Sequence, residues 1–121
     1  MWEVVSTEQF RDWLSGLPDE VAAAVAARLL LLRQFGPQLK RPHADTLNGS
    51  KHKNMKELRV NEEGQAIRIA FAFDPTRRAV LLAGGSKQGK KSKLFYSQLI
   101  SQADALFDVY LQSLKNKGGK K

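Results

Sequence analysis

The sequence predicts an α+β domain, an antiparallel sheet packed by two helices from its N-terminal part and one from its C-terminal part. Two observations lead to this class. Three strand-like runs, residues 55–60, 66–73 and 79–84, follow one another with only short turns between them, and short turns join antiparallel neighbours. Helix-like segments lie before and after these runs instead of alternating with them. The predicted order is β-α-α-β-β-β-α, in a single domain of residues 1–114.

The N-terminal part of the chain supplies the first strand and two helices. Residues 2–5, "WEVV", form a short β-type run, and Ser6 with Gln9 three positions later is typical of a helix capping box. We therefore expect a short helix at residues 7–14. Residues 19–35 begin with two acids and are rich in alanine and leucine, which favours a longer, well-buried helix that ends before a Gly-Pro pair.

The C-terminal part supplies the last helix. Residues 37–54 form a polar connection without clear periodicity. Residues 94–114 place apolar side chains at helical spacing, which predicts an amphipathic helix. The basic residues 115–121 are expected to form a disordered tail.

The alternation of side chains predicts the register between the first two strands of the meander. A register that buries the apolar residues, with a loop at residues 62–65, is preferred because a slip of one residue would turn them to solvent. The expected pairs are Leu58 with Ile69 and Val60 with Ile67. Arg59 then lies opposite Arg68 on the other face, where like charges repel by some tenths of a kcal/mol, roughly. An anion bound between them would relieve this repulsion, and Glu57 would relieve part of it.

The net charge of +8 is concentrated after the first third of the chain. Residues 1–38 carry three arginines and five acids, a balance of −2, so the remainder carries +10. No acid lies between Asp74 and Asp104, a segment that contains six lysines and arginines. Such an asymmetry is expected of a protein that binds a polyanion, because cations placed on phosphates release condensed counterions. A surface that only promotes solubility is the alternative.

We expect the basic residues to line a groove around the two arginines, over a floor of small alanine side chains. One group precedes and enters the first strand of the meander: Lys51, His52, Lys53 and Lys56. The other follows the last strand: Lys87, Lys90, Lys91 and Lys93. In the alternative arrangement, the last helix covers this face and the arginines pair with its acids, Asp104 and Asp108.

Several classes of protein are disfavoured by what the sequence lacks. It has no cysteine, which excludes disulfides and thiolate sites, and no histidine or carboxylate spacing typical of a metal site, so we expect no cofactor. The glycine-rich residues 84–92 depart from a phosphate-binding loop because Lys91 replaces the hydroxyl residue. No signal-peptide pattern is visible, and Arg28 interrupts the most apolar stretch, residues 21–32, so we expect a cytoplasmic protein that does not enter membranes.

Three stretches together resemble a known family. They are "RPHADTLNGSKHKNMKELRV", "IRIAFAFDPTRRAVLLAGGSKQGKK" and "LFYSQLISQADALF". With the order of the elements, they resemble a Gp49-like or HigB-type toxin of the RelE/ParE superfamily, from bacterial type II toxin–antitoxin modules. The resemblance covers residues 37–110 and implies a RelE-like fold.

The resemblance also implies an activity, that of an endoribonuclease (an mRNA interferase) which inhibits translation by cutting messenger RNA, commonly in the ribosomal A site. Such enzymes need no metal: the ribose 2′-hydroxyl attacks the adjacent phosphate and the 5′-oxygen leaves. This chemistry requires a proton acceptor, cations for the developing phosphorane charge and an acid for the leaving group. The implied partners are messenger RNA, the ribosome and a cognate antitoxin of an acidic or helix-turn-helix type.

Carried over by position, the resemblance assigns Arg59 and Arg68 to the scissile phosphate. Tyr96, early in the last helix, would stack on a base or shuttle a proton. His52 is the imidazole candidate because its pKa can lie near neutrality, although a surface histidine that steers phosphate or caps a turn is an equal alternative. Contacts with substrate and ribosomal RNA are assigned to the lysines: Lys51, Lys53, Lys56, Lys87, Lys90, Lys91 and Lys93.

The chain departs from many relatives at two places. It reads "AGGSKQGKK" after the last strand, and Gln98 or Ser101 stands where a glutamate is common. Two other functions therefore stay open. A ParE-like inhibitor of DNA gyrase would place function on the helices and leave Arg59 and Arg68 dispensable, and a plain nucleic-acid-binding module would need no catalytic group.

Overall fold

The structure is a computed structural model that describes residues 1–118. Five strands form one sheet in the order β1-β5-β4-β3-β2, with two helices on one face and a third on the other. The elements are β1 (Glu3–Ser6), α1 (Glu8–Ser15), α2 (Asp19–Phe35), a 3₁₀ turn (Gly36–Gln38), β2 (Ala44–Thr46), β3 (Met55–Glu62), β4 (Gln65–Phe73), β5 (Arg78–Ser86) and α3 (Ser92–Gly118). The predicted α+β class and the order of the predicted elements are confirmed.

The three layers follow from the alternation of side chains along the strands. One face of β3, β4 and β5 packs against α1 and α2 through Leu58, Val60, Ile67, Ile69, Phe71 and Leu81. The other face packs against α3 through Met55, Ala70, Ala72, Val80 and Leu82. Because both faces are covered, the central strands carry apolar side chains on both sides, and β4 is buried from Ile67 to Ala72.

The predicted register between β3 and β4 is confirmed. Leu58 pairs with Ile69 and Arg59 with Arg68. The connecting loop is tighter than expected because Glu62 already pairs with Gln65. Only Glu63 and Gly64 form the turn, at φ 55° and 74°, the left-handed conformation typical of a two-residue hairpin loop.

The sheet differs from the prediction at both edges. β1 lies parallel to β5, so the sheet is mixed and not wholly antiparallel. The whole chain from α1 to β4 lies between these two strands in sequence, which gives the long connection that a parallel pair requires. At the other edge, β2 is a three-residue strand within the polar connection, where no strand was predicted.

The predicted burial of α2 is wrong. Only Val21, Val25 and Leu32 are buried in this helix, and Leu30 is 64% exposed. The helix lies on the sheet along one side, so its alanine- and leucine-rich composition does not translate into burial on every face. Between residues 1 and 118, no helix has the length and apolar character needed to cross a membrane.

The helix ends also differ in detail. Thr7, not Ser6, caps α1, because its hydroxyl accepts the backbone N–H of Phe10 at 3.0 Å while Ser6 remains in β1. α3 continues to Gly118, beyond the predicted end at residue 114. The prediction of a disordered tail at residues 115–121 therefore falls partly on this helix and partly on residues outside the described range.

Helix α3 covers the alanine floor that was expected to line an open groove. Phe95, Leu99, Ala103 and Phe107 are buried against it. Ala70 and Ala72 are themselves fully buried. The small side chains therefore bring α3 close to the sheet, and the space left for a ligand lies at the N-terminal end of this helix.

Candidate active site

A cleft of about 460 Å³ opens at the N-terminal end of α3. Its walls come from the connection through β2, from the first half of β3, and from the loop between β5 and α3. The lining residues are Arg41, Asp45, Thr46, Leu47, Asn48, Glu57, Arg59, Lys87 and Tyr96. The cleft combines three cations with two carboxylates and a phenol, which suits an anionic substrate and proton transfer.

Arg59 and Glu57 reach the cleft from the same face of β3, because they stand two residues apart in a strand. The Arg59 Nη1 donates to Glu57 Oε2 at 2.9 Å. The Arg59 side chain is 21% exposed, whereas that of Glu57 is only 5% exposed. Arg59 is therefore accessible to a ligand and already has a carboxylate partner.

The backbone of Arg59 is fixed from two other elements. Its N–H donates to the carbonyl of His43 at 2.8 Å. Its own carbonyl accepts a hydrogen bond from Nη1 of Arg28, which reaches β3 from helix α2 on the far face of the sheet. The peptide units that carry the arginine are thus held by both the edge connection and the opposite layer.

Arg68 does not lie in the cleft, which corrects the expected pair of exposed arginines. Its side chain is 4% exposed. The guanidinium donates to the Asn61 side chain at 3.1 Å, to the Ile67 carbonyl at 2.8 Å and to the Tyr96 hydroxyl at 3.3 Å. It also lies 4.0 Å from Glu57 Oε1. Tyr96 from α3 covers Arg68, so in this arrangement direct contact between Arg68 and a phosphate is blocked.

The repulsion between the two arginines is relieved by Glu57, which lies between them. Its carboxylate is within salt-bridge distance of both guanidinium groups, at 2.9 Å from Arg59 and 4.0 Å from Arg68. The alternative prediction, in which α3 covers this face, is therefore right about the covering. It is wrong about the partners, because Asp104 and Asp108 do not pair with these arginines in the described chain.

Tyr96 links the buried arginine to the cleft. Its hydroxyl donates to Glu57 Oε1 at 2.7 Å and accepts from Arg68 Nε at 3.3 Å. Burial of the phenol, followed by the hydrogen bond to Glu57, raises the pKa of Tyr96 above its ordinary value. The Lys87 ammonium lies 5.3 Å from the centre of the Tyr96 ring. Tyr96 therefore stays protonated at neutral pH and faces a cation across the cleft.

Arg41 is a cleft residue that the sequence reasoning missed. Its Nε donates to Asp45 Oδ2 at 2.7 Å, and its side chain is 67% exposed. The hydrogen bond from Arg41 lowers the pKa of Asp45 and raises that of Arg41. The polar connection that carries both residues has no periodicity, so nothing in its pattern signals that they face the cleft.

His52 and Lys51 lie outside the cleft lining and bind α3 instead. His52 Nε2 is 2.8 Å from Asp108 Oδ1, and the imidazole packs edge-on against Phe107 at 4.9 Å. Lys51 Nζ is 2.5 Å from Asp108 Oδ2, and its backbone N–H donates to Asp104. The acids of α3 therefore anchor the loop before β3, a role for His52 that the sequence reasoning did not consider.

Of the other lysines predicted to bind RNA, one lines the cleft and five do not. Lys87 lines it directly, whereas Lys90 lies over the Phe95 ring at 5.9 Å. Lys53, Lys90 and Lys91 are exposed on loops, Lys93 is exposed in the first turn of α3, and Lys56 is half-buried in β3. Among residues 1–118, no group of three or more histidines and acids is close enough together to hold a metal ion.

The chain is similar to two curated bacterial proteins. The candidate toxin HigB2 of Mycobacterium tuberculosis (strain ATCC 25618 / H37Rv) is 41% identical over 115 residues, which cover 94% of this chain and 57% of HigB2. The chain thus spans little more than half the length of that relative. The candidate toxin HigB3 of the same organism is 42% identical over 110 residues, covering 91% of this chain and 94% of HigB3.

A family profile and a solved structure agree with these relatives. The family described as "Phage derived protein Gp49-like" matches residues 12–108. The free state of a double arginine-to-alanine mutant of Escherichia coli toxin RelE superposes with a TM-score of 0.57 at 12% identity, covering 84% of this chain and 93% of that chain, which shows a common fold. The resemblance found in the motifs is confirmed: the chain is similar to the two HigB relatives, shares its fold with RelE and belongs to the Gp49-like family.

Proposed function

We propose that this protein is the toxin of a toxin–antitoxin module and cleaves messenger RNA without a metal. The observation that carries the proposal is the meeting of Arg59 and Lys87 with the Glu57–Tyr96 pair in one open cleft. Cations, a carboxylate and a phenol are the groups that transesterification of RNA requires. The similarity to the candidate toxins HigB2 and HigB3 supports the toxin part of the proposal.

In the proposed reaction, the ribose 2′-oxygen attacks the adjacent phosphorus and the bond from phosphorus to the 5′-oxygen breaks. The products are a 2′,3′-cyclic phosphate and a 5′-hydroxyl end. Arg59, Lys87 and Arg41, which all line the cleft, would stabilise the charge that develops on the phosphoryl oxygens. Arg68 acts indirectly in this proposal, through its hydrogen bond to the Tyr96 hydroxyl. His52 holds the loop before β3 and takes no part in the chemistry.

Substrate binding is assigned to the basic residues around the cleft. Lys87 lines the cleft, and the exposed Lys90, Lys91 and Lys93 follow it within six residues, so a strand of RNA in the cleft would pass close to this segment. The proposed contacts with messenger and ribosomal RNA comprise Lys51, Lys53, Lys56, Lys87, Lys90, Lys91 and Lys93. Because such contacts release counterions, binding should weaken steeply as salt is raised. We propose that cleavage requires the ribosome, which presents the RNA strand.

The proposed protein partner is a cognate antitoxin of an acidic or helix-turn-helix type. The net charge of +8 favours an acidic partner surface. A cytoplasmic location follows from the substrate, because messenger RNA and ribosomes are found there.

The test is to incubate the purified protein with messenger RNA in EDTA, with and without translating ribosomes, and to map the new RNA ends. Cleavage that leaves 5′-hydroxyl ends supports the proposed ribonuclease activity. Cleavage that occurs only with ribosomes supports the proposal that the ribosome presents the RNA strand. Growth arrest with intact transcripts and altered DNA supercoiling would instead favour a gyrase inhibitor. RNA binding without cleavage would favour a plain nucleic-acid-binding module.

A further inference from the structure

Glu57 is a nearly buried carboxylate for which the proposed mechanism gives no chemical role. The residue is 4% exposed and lines the cleft. Oε1 accepts the Tyr96 hydroxyl at 2.7 Å, and Oε2 accepts Nη1 of Arg59 at 2.9 Å. The carboxylate is thus oriented by two groups that themselves face the substrate space, and it has unused acceptor capacity.

We propose that Glu57 and Tyr96 form a closed proton circuit, in which Glu57 takes the proton of the attacking 2′-hydroxyl and Tyr96 gives its own proton to the departing 5′-oxygen. This inference rests on the proposed ribonuclease function and deepens it. It assigns the two proton transfers of that reaction to neighbouring side chains. Arg68 is then a positioning residue that acts through Tyr96.

The circuit balances without an outside proton donor. As the bond from the 2′-oxygen to phosphorus forms, the 2′ proton moves to the Glu57 carboxylate. As the bond from phosphorus to the 5′-oxygen breaks, the Tyr96 proton moves to that oxygen. Glu57 is then a carboxylic acid and Tyr96 a tyrosinate, joined by the 2.7 Å hydrogen bond. Return of the proton along this bond restores both residues for the next turnover.

The surroundings of Tyr96 suit the acid role. Burial, followed by the hydrogen bond to Glu57, raises the pKa of Tyr96, so the phenol carries its proton at neutral pH. The transient tyrosinate would receive the Arg68 Nε–H, which already points at the hydroxyl oxygen at 3.3 Å. Arg68 is itself held by Asn61 and the Ile67 carbonyl, so it stabilises this charge without reorganisation.

A simpler reading is that Glu57 only neutralises the two arginines. The two readings differ in chemistry, because a neutralising carboxylate affects stability and binding but is indifferent to the leaving group. Affinity and rate separate them, because loss of a neutralising carboxylate changes binding whereas loss of a base slows cleavage at unchanged affinity. An RNA whose scissile 5′-oxygen is replaced by sulfur then tests the acid role of Tyr96 separately. Sulfur leaves without being protonated, so such a substrate makes the acid unnecessary while the base is still required.

The experiment measures single-turnover cleavage of the RNA substrate that the wild-type protein cuts, on ribosomes if they are needed, after the cleavage site has been mapped. Glu57→Gln and Tyr96→Phe should each slow cleavage of the normal linkage by about 100- to 1000-fold. The sulfur substrate should restore Tyr96→Phe to near the wild-type rate and leave Glu57→Gln slow. Glu62→Gln, the same change in the same strand outside the cleft, should leave the rate unchanged.

Affinity for a substrate with a 2′-deoxy attacking nucleotide should be within about threefold of wild type for both variants. Normal cleavage by Glu57→Gln, or rescue of that variant by sulfur, would overturn the circuit. If Glu57→Gln proves unfolded by circular dichroism, the wild-type pH–rate profile decides. A fall in rate on the acid side that persists with the sulfur substrate supports a carboxylate base, and its absence overturns the inference. Failure of the wild type to cleave any RNA would instead refute the proposed function.

Discussion

Helix α3 contains two tyrosines, each hydrogen-bonded to a carboxylate from another part of the chain. The surroundings of the two pairs differ, which distinguishes a pair suited to catalysis from a pair that stabilises the fold. Near its N-terminus, the Tyr96 hydroxyl donates to Glu57 at 2.7 Å beside an open cleft. Fourteen residues later, and so about 21 Å along the helix axis, the Tyr110 hydroxyl donates to Asp74 at 2.6 Å. The Asp74 side chain is completely buried. The Tyr96–Glu57 pair is therefore in contact with a cleft, whereas the carboxylate of the Tyr110–Asp74 pair is buried.

The partners of the two carboxylates explain the difference. Asp74 accepts from the backbone and hydroxyl of Thr76 at 2.8 Å, and from the backbone and guanidinium of Arg78 at 2.9 and 3.1 Å. These bonds satisfy its oxygens and join the β4–β5 turn to α3. Within residues 1–118, Glu57 has only Tyr96 and Arg59 as hydrogen-bond partners, and it lines a cleft. A saturated carboxylate supports the fold, whereas a partly satisfied one is available to a substrate.

Replacing the arginine that binds each carboxylate should give the largest difference in RNA cleavage between the two sites. We expect Arg59→Ala to lower RNA cleavage by about 100- to 1000-fold, because it removes a preorganised cation from the scissile phosphate. Arg78→Ala, the matched change in the Asp74 cluster, should leave cleavage per folded molecule within about twofold and lower the melting temperature. Single-turnover kinetics and thermal unfolding of both variants check this. Equal loss of cleavage in both would contradict it.

Asp74→Asn should produce the largest loss of stability. An amide NH₂ cannot accept the hydrogen bonds from Tyr110 and Arg78, so we expect the free energy of unfolding to fall by about 2 to 3 kcal/mol. Urea unfolding at neutral pH measures this change. Asp12→Asn, which alters an exposed acid on α1, is the control and should stay within about 0.5 kcal/mol of wild type. An equally small change in Asp74→Asn would show that this cluster does not support the fold.

Removing the hydroxyl oxygen of each tyrosine tests the same difference between the two sites, with smaller expected effects on stability. Tyr110→Phe leaves Asp74 without one donor, and we expect a loss of about 1 kcal/mol in stability with unchanged cleavage. Tyr96→Phe should show the converse pattern, with a modest loss of stability and slow cleavage. Both proteins can be compared by urea unfolding and by the rate of cut RNA formation. If Tyr110→Phe slows cleavage as much as Tyr96→Phe does, the two ends of α3 are not functionally distinct.

The smallest effect is expected from pH, at the Asp74 end of the helix. Burial alone would raise the pKa of Asp74, but the hydrogen bonds from Tyr110, Arg78 and Thr76 together lower it below 3.8, its ordinary value. The stability from these bonds is therefore complete above that value and is lost as pH falls through the lower folded pKa. Urea unfolding of wild type and Asp74→Asn between pH 5 and about 2 should show the difference between them shrinking. A constant difference would contradict this assignment.

At alkaline pH, the stability changes with pH in the opposite direction, falling as pH rises. Burial, followed by the hydrogen bond to Asp74, raises the pKa of Tyr110 to about 12 from 10.0. Stability from the protonated phenol is complete below 10.0 and is lost as pH rises through the folded value. Tyr110→Phe should therefore remove the alkaline part of this dependence, which absorbance of the phenolate during titration can follow.

The sequence predicts those features of the fold and cleft that depend on alternation along a strand. The register of Leu58, Arg59 and their partners follows from keeping apolar residues on one face. Arg59, Lys87 and Tyr96 all line the cleft, as the family motifs imply. These residues could be identified from the sequence because each lies in, or directly after, a strand or helix.

What the sequence could not predict depends on how the layers are placed. The burial of Arg68 depends on where Tyr96 lies once α3 packs over the alanines, a contact between residues 28 positions apart. Arg41 reaches the cleft from a connection with no periodic pattern. The exposure of Leu30 reflects that α2 has apolar side chains on more sides than the sheet can cover.

The hydrogen bond from Arg28 to the carbonyl of Arg59 has a consequence for how the proposed activity can be lost by mutation. A side chain on the reverse of the sheet, with no route to RNA, helps to decide how firmly the reactive strand is held. Under the proposed function, spontaneous non-toxic variants recovered by genetic selection should therefore include changes in helix α2, on the face of the sheet opposite the cleft, in proteins that still fold.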